Sequence, residues 1–498
     1  MNAPAPSSTP VPGRTRLFRA PVFWFALLFF VASAPFVAWY PLPSGDEIIG
    51  NDPAAEWVQH GQIKSSVFGE LPGYERGYFL QPPGQFLTAA AAYAIAGVSI
   101  ESTRINALLW AAGALFAWGW LATRWTGSPR AGVFCALLIA CIPVFGHSVA
   151  AARMDAQALC LVGIALLLWL PDRQATAARP FVAGLFLGAG GLTHPVVIFW
   201  AFGLGAAALF SGRSERRLQL LWLIAGAALP LAAWLGVASR YPAEFAQQFM
   251  RHGEGKLGGA DLGALAIGES VRAVKAFAQQ PLLLALYVVG AIAWWRRHAD
   301  APGFRRETTI IALVLTAGIT FGLEKASGPH LMHYAVALSL AAAAWLDRSL
   351  QAAPPAPAWL KPLALASLLL VAGLGAARWA LPRFVAVTVQ QTARDHAAFT
   401  SELARIIPPG SNVAGEPIAW YAIRANDSWL RLAVTPDPQR HHFVVFQAEH
   451  DWTLAPEFER IATVGHPLPA WHGRTFSPSE ELHVIVARSR VLPPPPQP

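Results

Sequence analysis

Apolar runs long enough to cross a membrane recur along this chain from Pro21 to Ala380, with short arginine-bearing loops between them. A helix of about 20 apolar residues spans a bilayer core. Lipid offers no partner for backbone N–H and C=O groups, so a chain of such runs folds as a helical bundle. Charged residues make up 13% of the sequence, against about 25% in soluble domains, and the mean hydropathy is +0.40. The class is therefore a polytopic membrane protein, mainly α. The net charge of +8 sits in the loops, where it reads as a topology signal, and no nucleic-acid partner is expected. Cys135, Cys141 and Cys160 all lie in apolar runs and no Cys-x-x-Cys occurs, which argues against a disulfide framework or a zinc knuckle.

With positive loops placed inside, the first run (about 20–40) leaves the cytoplasm. Ala32-Ser33-Ala34 imitates a signal-peptidase site, but Pro35 follows and the run continues to Tyr40, so an uncleaved first helix is expected. Residues 41–101 form a long outer loop. Within it, 84–97 is apolar but short for a span and is assigned to the interface, opened by Pro82-Pro83. Runs at 103–123, 131–151, 155–171, 180–192, 195–211, 218–238, 281–295, 309–323, 331–346 and 361–380 then alternate, giving about eleven spans. Composition changes near 383, where charges return. The expected domains are a membrane domain over 1–382 and a small α/β domain over 383–498. The latter should lie outside the cytoplasmic membrane, with a helix at 388–407 and strands at 412–415, 442–447 and 481–487.

Five polar groups fall on the outer side under this one topology: Asp46-Glu47 after the first run, Arg153-Asp155, and His194 between two short helices. The fourth is His252 and Lys256 in a glycine-rich loop, and the last is Lys325, His330 and Tyr334 at the start of an inward-going helix. Each alone also reads as solvated loop, helix-end pair, satisfied core histidine or interfacial snorkelling. Together they describe a cavity with carboxylates from the early chain and cations from later loops. That suits an anionic lipid-linked donor and a carboxylate base acting on an acceptor hydroxyl. A transporter of lipid-linked sugars and a catalytically degenerate scaffold are the alternatives.

The ordered set is Asp46-Glu47, Pro82-Pro83 before a short apolar helix, the stretch from Gly97 to Ala107 (Gly-Val-Ser-Ile-Glu-Ser-Thr-Arg-Ile-Asn-Ala), Ala152-Arg153-Met154-Asp155 and Leu192-Thr193-His194-Pro195. It resembles the integral-membrane glycosyltransferases of the C-type fold, in the protein O-mannosyltransferase and aminoarabinose transferase branch, over roughly residues 20–345. The C-terminal domain matches no motif. The resemblance implies inverting transfer from a polyprenyl-phosphate sugar on the outer face of a bacterial-type inner or plasma membrane. It makes Asp46, Glu47 and Asp155 the catalytic carboxylates, with Glu47 holding the loop. His252, Lys256 and Tyr334 match donor-phosphate groups and His194 lies in the cavity, while the residues themselves add Lys325 and His330 to the donor-phosphate set and Gln81 and Arg153 to the cavity. Relatives carry an acidic–basic pair or a histidine just before the proline. Here Leu80-Gln81 stand there, which leaves a divalent metal and the identity of sugar and acceptor open.

Overall fold

The computed structural model describes residues 19–169, 177–210, 214–250, single positions between 267 and 278, 281–297, 302–321, 328–352, 357–432, 435–448, 454–469, 482–493 and 495. The protein is mainly helical. In chain order the helices are α1 (Pro21–Ser33), α2 (Gly45–His60), α3 (Gly84–Ala96), α4 (Ile100–Thr126), α5 (Pro129–Ala140), α6 (Pro143–Ala150), α7 (Asp155–Trp169), α8 (Ala178–Gly191), α9 (Val197–Phe210) and α10 (Ser214–Ala238). After the short α11 (Pro242–Phe245) come α12 (Pro281–Arg297), α13 (Pro302–Phe321), α14 (Gly328–Gln351), α15 (Leu360–Thr388), α16 (His396–Ile406) and α17 (Trp420–Ala425). Among the described residues α4, α10 and α15 are long and apolar enough to cross a membrane, and a fourth span results if α5 and α6 are counted together. Six further apolar helices are shorter.

The single run expected at 131–151 is broken. Pro143 cannot donate to the preceding turn, and α5 and α6 meet at a bend of 69°. α15 runs on through the expected domain boundary to Thr388. α8 and α10 cross closely because each presents glycine to the other. A Cβ on Gly184 would strike the backbone of Leu223, and one on Gly226 would strike that of Phe181. Small residues permit such approach where lipid supplies no hydrophobic drive between helices.

The stretch expected as the start of a loop is the helix α2. Ser44 caps it by accepting from the Glu47 N–H at 3.4 Å, and Gly61 ends it in the left-handed region at φ 69°. Pro53 lies inside and withholds the hydrogen bond that the Ile49 carbonyl would receive; the buried Tyr78 hydroxyl donates to that carbonyl instead, at 3.2 Å.

The C-terminal part carries a five-stranded sheet in the order β2-β1-β3-β5-β4, with β1 (Asn412–Gly415), β2 (Trp429–Arg431), β3 (Phe443–Gln447), β4 (Phe458–Gly465) and β5 (His483–Ser489). β1 runs parallel to β2 and β3, and β5 is antiparallel to β3 and β4. β1, β3 and β5 match the expected strands closely; β2 and β4 are additional. This unit is not a separate bead. Ile48, Ala54 and Ala55 of α2 and Phe86 and Tyr93 of α3 share one core with Trp420, Tyr421, Ile423 and Leu430. The helical body has its own core, centred on α4, α5, α7 and α14.

Candidate active site

Asp46 and Glu47 stand in the first turn of α2, where carboxylates meet the positive end of the helix dipole. Successive helical residues point about 100° apart, and this separates the pair. The Asp46 side chain is 67% exposed and is ion-paired with Arg153 Nη1. Glu47 is fully buried and turned away, held on both oxygens by Arg104 (Nε–Oε1 2.9 Å, Nη2–Oε2 2.8 Å). It also accepts from the Tyr421 hydroxyl at 2.9 Å.

Arg153 reaches Asp46 from the turn between α6 and α7. Ala152 there adopts φ 45°, a left-handed conformation uncommon without glycine. Its carbonyl accepts from Gln85 Nε2 at 2.9 Å, and the Arg153 N–H donates to the Ser148 carbonyl at 2.9 Å. Gln85 in turn packs against Gly50, where a Cβ would come within 2.6 Å of its amide oxygen. Arg153 then bridges two carboxylates, its Nε donating to Asp155 Oδ2 at 3.0 Å. The Ser148 hydroxyl donates to the same oxygen at 2.6 Å.

The other oxygen of Asp155 lies 3.6 Å from His194 Nε2. His194 Nδ1 accepts from the Val196 N–H at 3.1 Å, so the neutral ring carries its proton on Nε2, facing Asp155. Burial holds this imidazole below its ordinary pKa, against the pull of Asp155. The His194 ring meets His330 edge-on at 5.3 Å and lies 6.1 Å from His333. His333 Nδ1 accepts from Trp200 Nε1 at 2.9 Å. A continuous chain thus runs from the exposed Asp46 through Arg153, Asp155 and His194 to the histidines of α14.

Beyond Trp200 opens an apolar cavity of about 360 Å³, within the range of small-molecule pockets. Trp118, Trp125, Trp169, Trp294 and Trp295 line it, and Arg216 and Glu307, 3.6 Å apart, also border it.

The structure therefore brings together Asp46, Arg153, Asp155, His194 and His330. Gln81 is half-buried and makes no hydrogen bond among the described residues; Gln85, one helical turn on, is the glutamine that joins the cluster. Tyr334 gives its hydroxyl to the Thr316 carbonyl of α13 at 3.2 Å. His252, Lys256 and Lys325 lie outside the described residues. Ser148, Gln85, Arg104 and Tyr421 were not singled out by sequence; only the long-range contacts identify them. Among the described residues no group of three or more histidine, cysteine, aspartate or glutamate side chains is arranged to hold a metal ion. Arg153 engages both Asp46 and Asp155, and Leu80-Gln81 add no carboxylate or imidazole, so the donor set among the described residues does not fit a divalent metal.

No family model matches the chain, and no curated protein sequence matches it significantly. Solved structures do. ArnT from Cupriavidus metallidurans bound to undecaprenyl phosphate superposes with a TM-score of 0.58 at 17% identity, covering 94% of this chain and 98% of that one. The same protein in the apo state gives 0.59 at 17% identity with the same coverage. The archaeal oligosaccharyltransferase AglB from Archaeoglobus fulgidus gives 0.48 at 14% identity, over 85% of this chain and 69% of that one, too low to carry an inference. The likeness to ArnT extends over both the helical body and the C-terminal sheet, and the chain has the C-type glycosyltransferase fold.

Proposed function

We propose that the protein is an integral-membrane glycosyltransferase that moves a sugar, with inversion, from a polyprenyl-phosphate carrier to a hydroxyl or amine acceptor. The observation that carries this reading is the placement of Asp46. It is the exposed carboxylate at the surface end of a buried charge chain, on the helix α2 whose following residues share a core with the C-terminal sheet. The fold is that of ArnT, whose structure was solved with undecaprenyl phosphate. The tryptophan-lined cavity beyond Trp200 suits the apolar chain of such a carrier.

In this mechanism the acceptor approaches the exposed face of Asp46. Asp46 takes the acceptor's proton while the acceptor oxygen or nitrogen attacks the anomeric carbon from the side opposite the phosphate. The bond from the anomeric carbon to the phosphate oxygen breaks, and the electron pair leaves with the lipid phosphate. That group departs as an anion, so its stabilisation asks for cations and N–H donors rather than a general acid. His330 stands at the inner end of the chain for this purpose. His252, Lys256 and Lys325 are assigned to the same role from sequence, and Tyr334 would join by exchanging its bond to Thr316. Arg153 fixes the direction of Asp46, Asp155 and His194 fix Arg153, and Glu47 acts as a positioning residue for α2.

The topology proposed with this function has about eleven spans, shorter helices included. The N-terminus lies inside, and the site and C-terminal domain lie on the outer face of a bacterial-type inner or plasma membrane. Cysteine labelling at Gly97 and Arg130 tests that arrangement. The test of function is to incubate purified protein in liposomes with labelled polyprenyl-phosphate sugars and candidate acceptors. Transfer should occur with wild type and vanish in a folded Asp46→Asn variant; substantial turnover by that variant overturns the assignment.

A further inference from the structure

A second cationic centre lies apart from the candidate active site, in a cleft between α1, α6 and α15. Its walls include Phe29, Ser33, Tyr40, Gly146, Trp379 and Arg383. The Arg383 guanidinium stacks over two aromatic rings, 4.4 Å from the Trp379 centroid and 5.4 Å from that of Tyr40. Arg394 approaches the same Tyr40 ring at 5.6 Å. Arg383 is 7% exposed, yet among the described residues its one hydrogen bond is from Nη1 to the Trp379 carbonyl of its own helix, at 2.8 Å. It makes no ion pair with a described carboxylate. Arg104 also borders the cleft, but Glu47 answers its charge.

A guanidinium does not shed its proton in a protein. Desolvating it without an anion is costly, and cation–π contacts offset only part of that cost. The donors left over border a cleft of about 20 Å³, enough for one or two oxygen-sized atoms. The cleft is too small for a whole headgroup and suited to one oxyanion reaching in.

What lies outside it points to the source of that oxyanion. Trp24, Leu28 and Val31 of α1 and Leu374, Leu381 and Phe384 of α15 are all exposed, so an apolar, lipid-facing surface flanks the cleft. Arg383 stands near the end of α15 that leads into the C-terminal domain. Tyr40 and Trp379 beside it are the residue types that gather at headgroup depth, and arginine matches phosphate geometry through its fork of N–H groups.

We propose that the Arg383 cleft binds the phosphate of a membrane phospholipid, one phosphate oxygen entering beside Arg383 and the acyl chains lying on the exposed faces of α1 and α15. The cleft is distinct from the Asp46–Arg153–Asp155 cluster and adjoins its surroundings through Arg104: across α6, Gly146 borders the cleft while Ser148 faces Asp155.

The test is native mass spectrometry of the detergent-purified full chain titrated with phosphatidylglycerol, phosphatidylcholine or inorganic phosphate. Wild type should retain phosphatidylglycerol, and Arg383→Gln should weaken retention about tenfold, as for loss of a buried charge-assisted contact. Arg378→Gln, on the exposed face of the same helix, should leave it unchanged. If Arg383→Gln does not fold, Gly146→Leu decides. A Cβ there meets nothing within 4 Å, so the larger side chain fills the cleft with Arg383 in place, and it too should weaken retention. Unchanged phosphatidylglycerol binding in either folded variant overturns the proposal. Arg383-dependent binding of inorganic phosphate, with no preference for the lipid, overturns the lipid assignment. Arg383-dependent binding of phosphatidylcholine as tight as that of phosphatidylglycerol supports the proposal, because both lipids present the phosphate oxygen.

Discussion

The Tyr421 hydroxyl donates to Glu47 Oε1 at 2.9 Å, on the same oxygen that receives Arg104 Nε. The bond joins residues 374 positions apart and is not isolated. Further along α2, Asp52 accepts from Trp420 Nε1 at 3.0 Å, and Glu56 accepts from Arg424 Nη1 at 2.8 Å. Three buried acids spaced along α2 thus each find a partner on the short helix α17. Asp52 also gathers the Ser65 hydroxyl, the Ser66 N–H and hydroxyl and the Val67 N–H, which closes the following loop over the helix. The C-terminal domain therefore holds the element that aims Asp46.

Glu47→Gln should be severely destabilising. It leaves the 1%-exposed Arg104 without a counter-charge, a change that costs about 3–5 kcal/mol at buried pairs. Tyr421→Phe removes one neutral donor from an acid that keeps its ion pair and should cost about 1 kcal/mol. Thermal unfolding in detergent, followed by tryptophan fluorescence, should rank them in that order. Equal losses would show that the Tyr421 hydroxyl matters to the junction as much as the ion pair with Arg104 does.

Much of this was legible in the sequence, and the limit has a physical cause. Long apolar runs and arginine loops announce a bundle directly, and β1, β3 and β5 announce themselves by short apolar runs. α2 does not, because three of its buried residues are acidic. Asp52 and Glu56 read as solvent-facing until Trp420 and Arg424 are seen to answer them, Glu47 is expected to hold the loop with no sign of Tyr421 as its partner, and no local pattern reports a partner more than 360 residues away. Asp46, Arg153, Asp155 and His194 were legible because charge near membrane depth is costly enough to stand out. Gln85 and Ser148, ordinary polar residues, carry no such signal.

Asp46→Asn and Asp155→Asn should separate chemistry from architecture. Asp46 is mostly exposed and its partner Arg153 keeps Asp155, so Asp46→Asn should change stability by at most about 1 kcal/mol while abolishing transfer. Asp155 is fully buried between Arg153, Ser148 and His194, and Asp155→Asn should cost about 3–5 kcal/mol. Unfolding midpoints of both variants, with transfer assays on the folded fraction, check this. A strongly destabilised Asp46→Asn would make that carboxylate architectural.

Gly50→Ala should disturb the site without adding or removing charge. The new Cβ would come within 3.0 Å of the Gln85 amide and push it from the Ala152 carbonyl, loosening the left-handed turn that presents Arg153. Misplacement of a positioning group by about 1 Å can lower a rate about a hundredfold. The expected result is a large fall in kcat with little change in unfolding midpoint. Gln85→Ala in the same background should leave kcat low, because the bond to the Ala152 carbonyl is then lost outright, whereas wild-type turnover in Gly50→Ala would free Gln85 of any role.

The junction between domains should also weaken in mild acid, through His396. This histidine begins α16, its ring 5.8 Å from that of Tyr421 and 6.1 Å from Phe399. Burial pushes its pKa down to about 4, and the charge of Arg104 adds to the effect. The unfolded chain binds a proton near the ordinary histidine value of about 6.5, so below that pH the unfolded state takes up the proton that the folded state refuses. The stabilisation is complete above about 6.5, declines as pH falls, and is lost once pH passes the folded value near 4, on the order of 3 kcal/mol in all. Tryptophan fluorescence of Trp420 and its neighbours, followed during denaturation between pH 4 and 8, should show that decline in wild type. A His396→Phe variant that still folds should lack the histidine's share of the slope. A slope equal to wild type in that variant would show that the acid sensitivity does not come from His396.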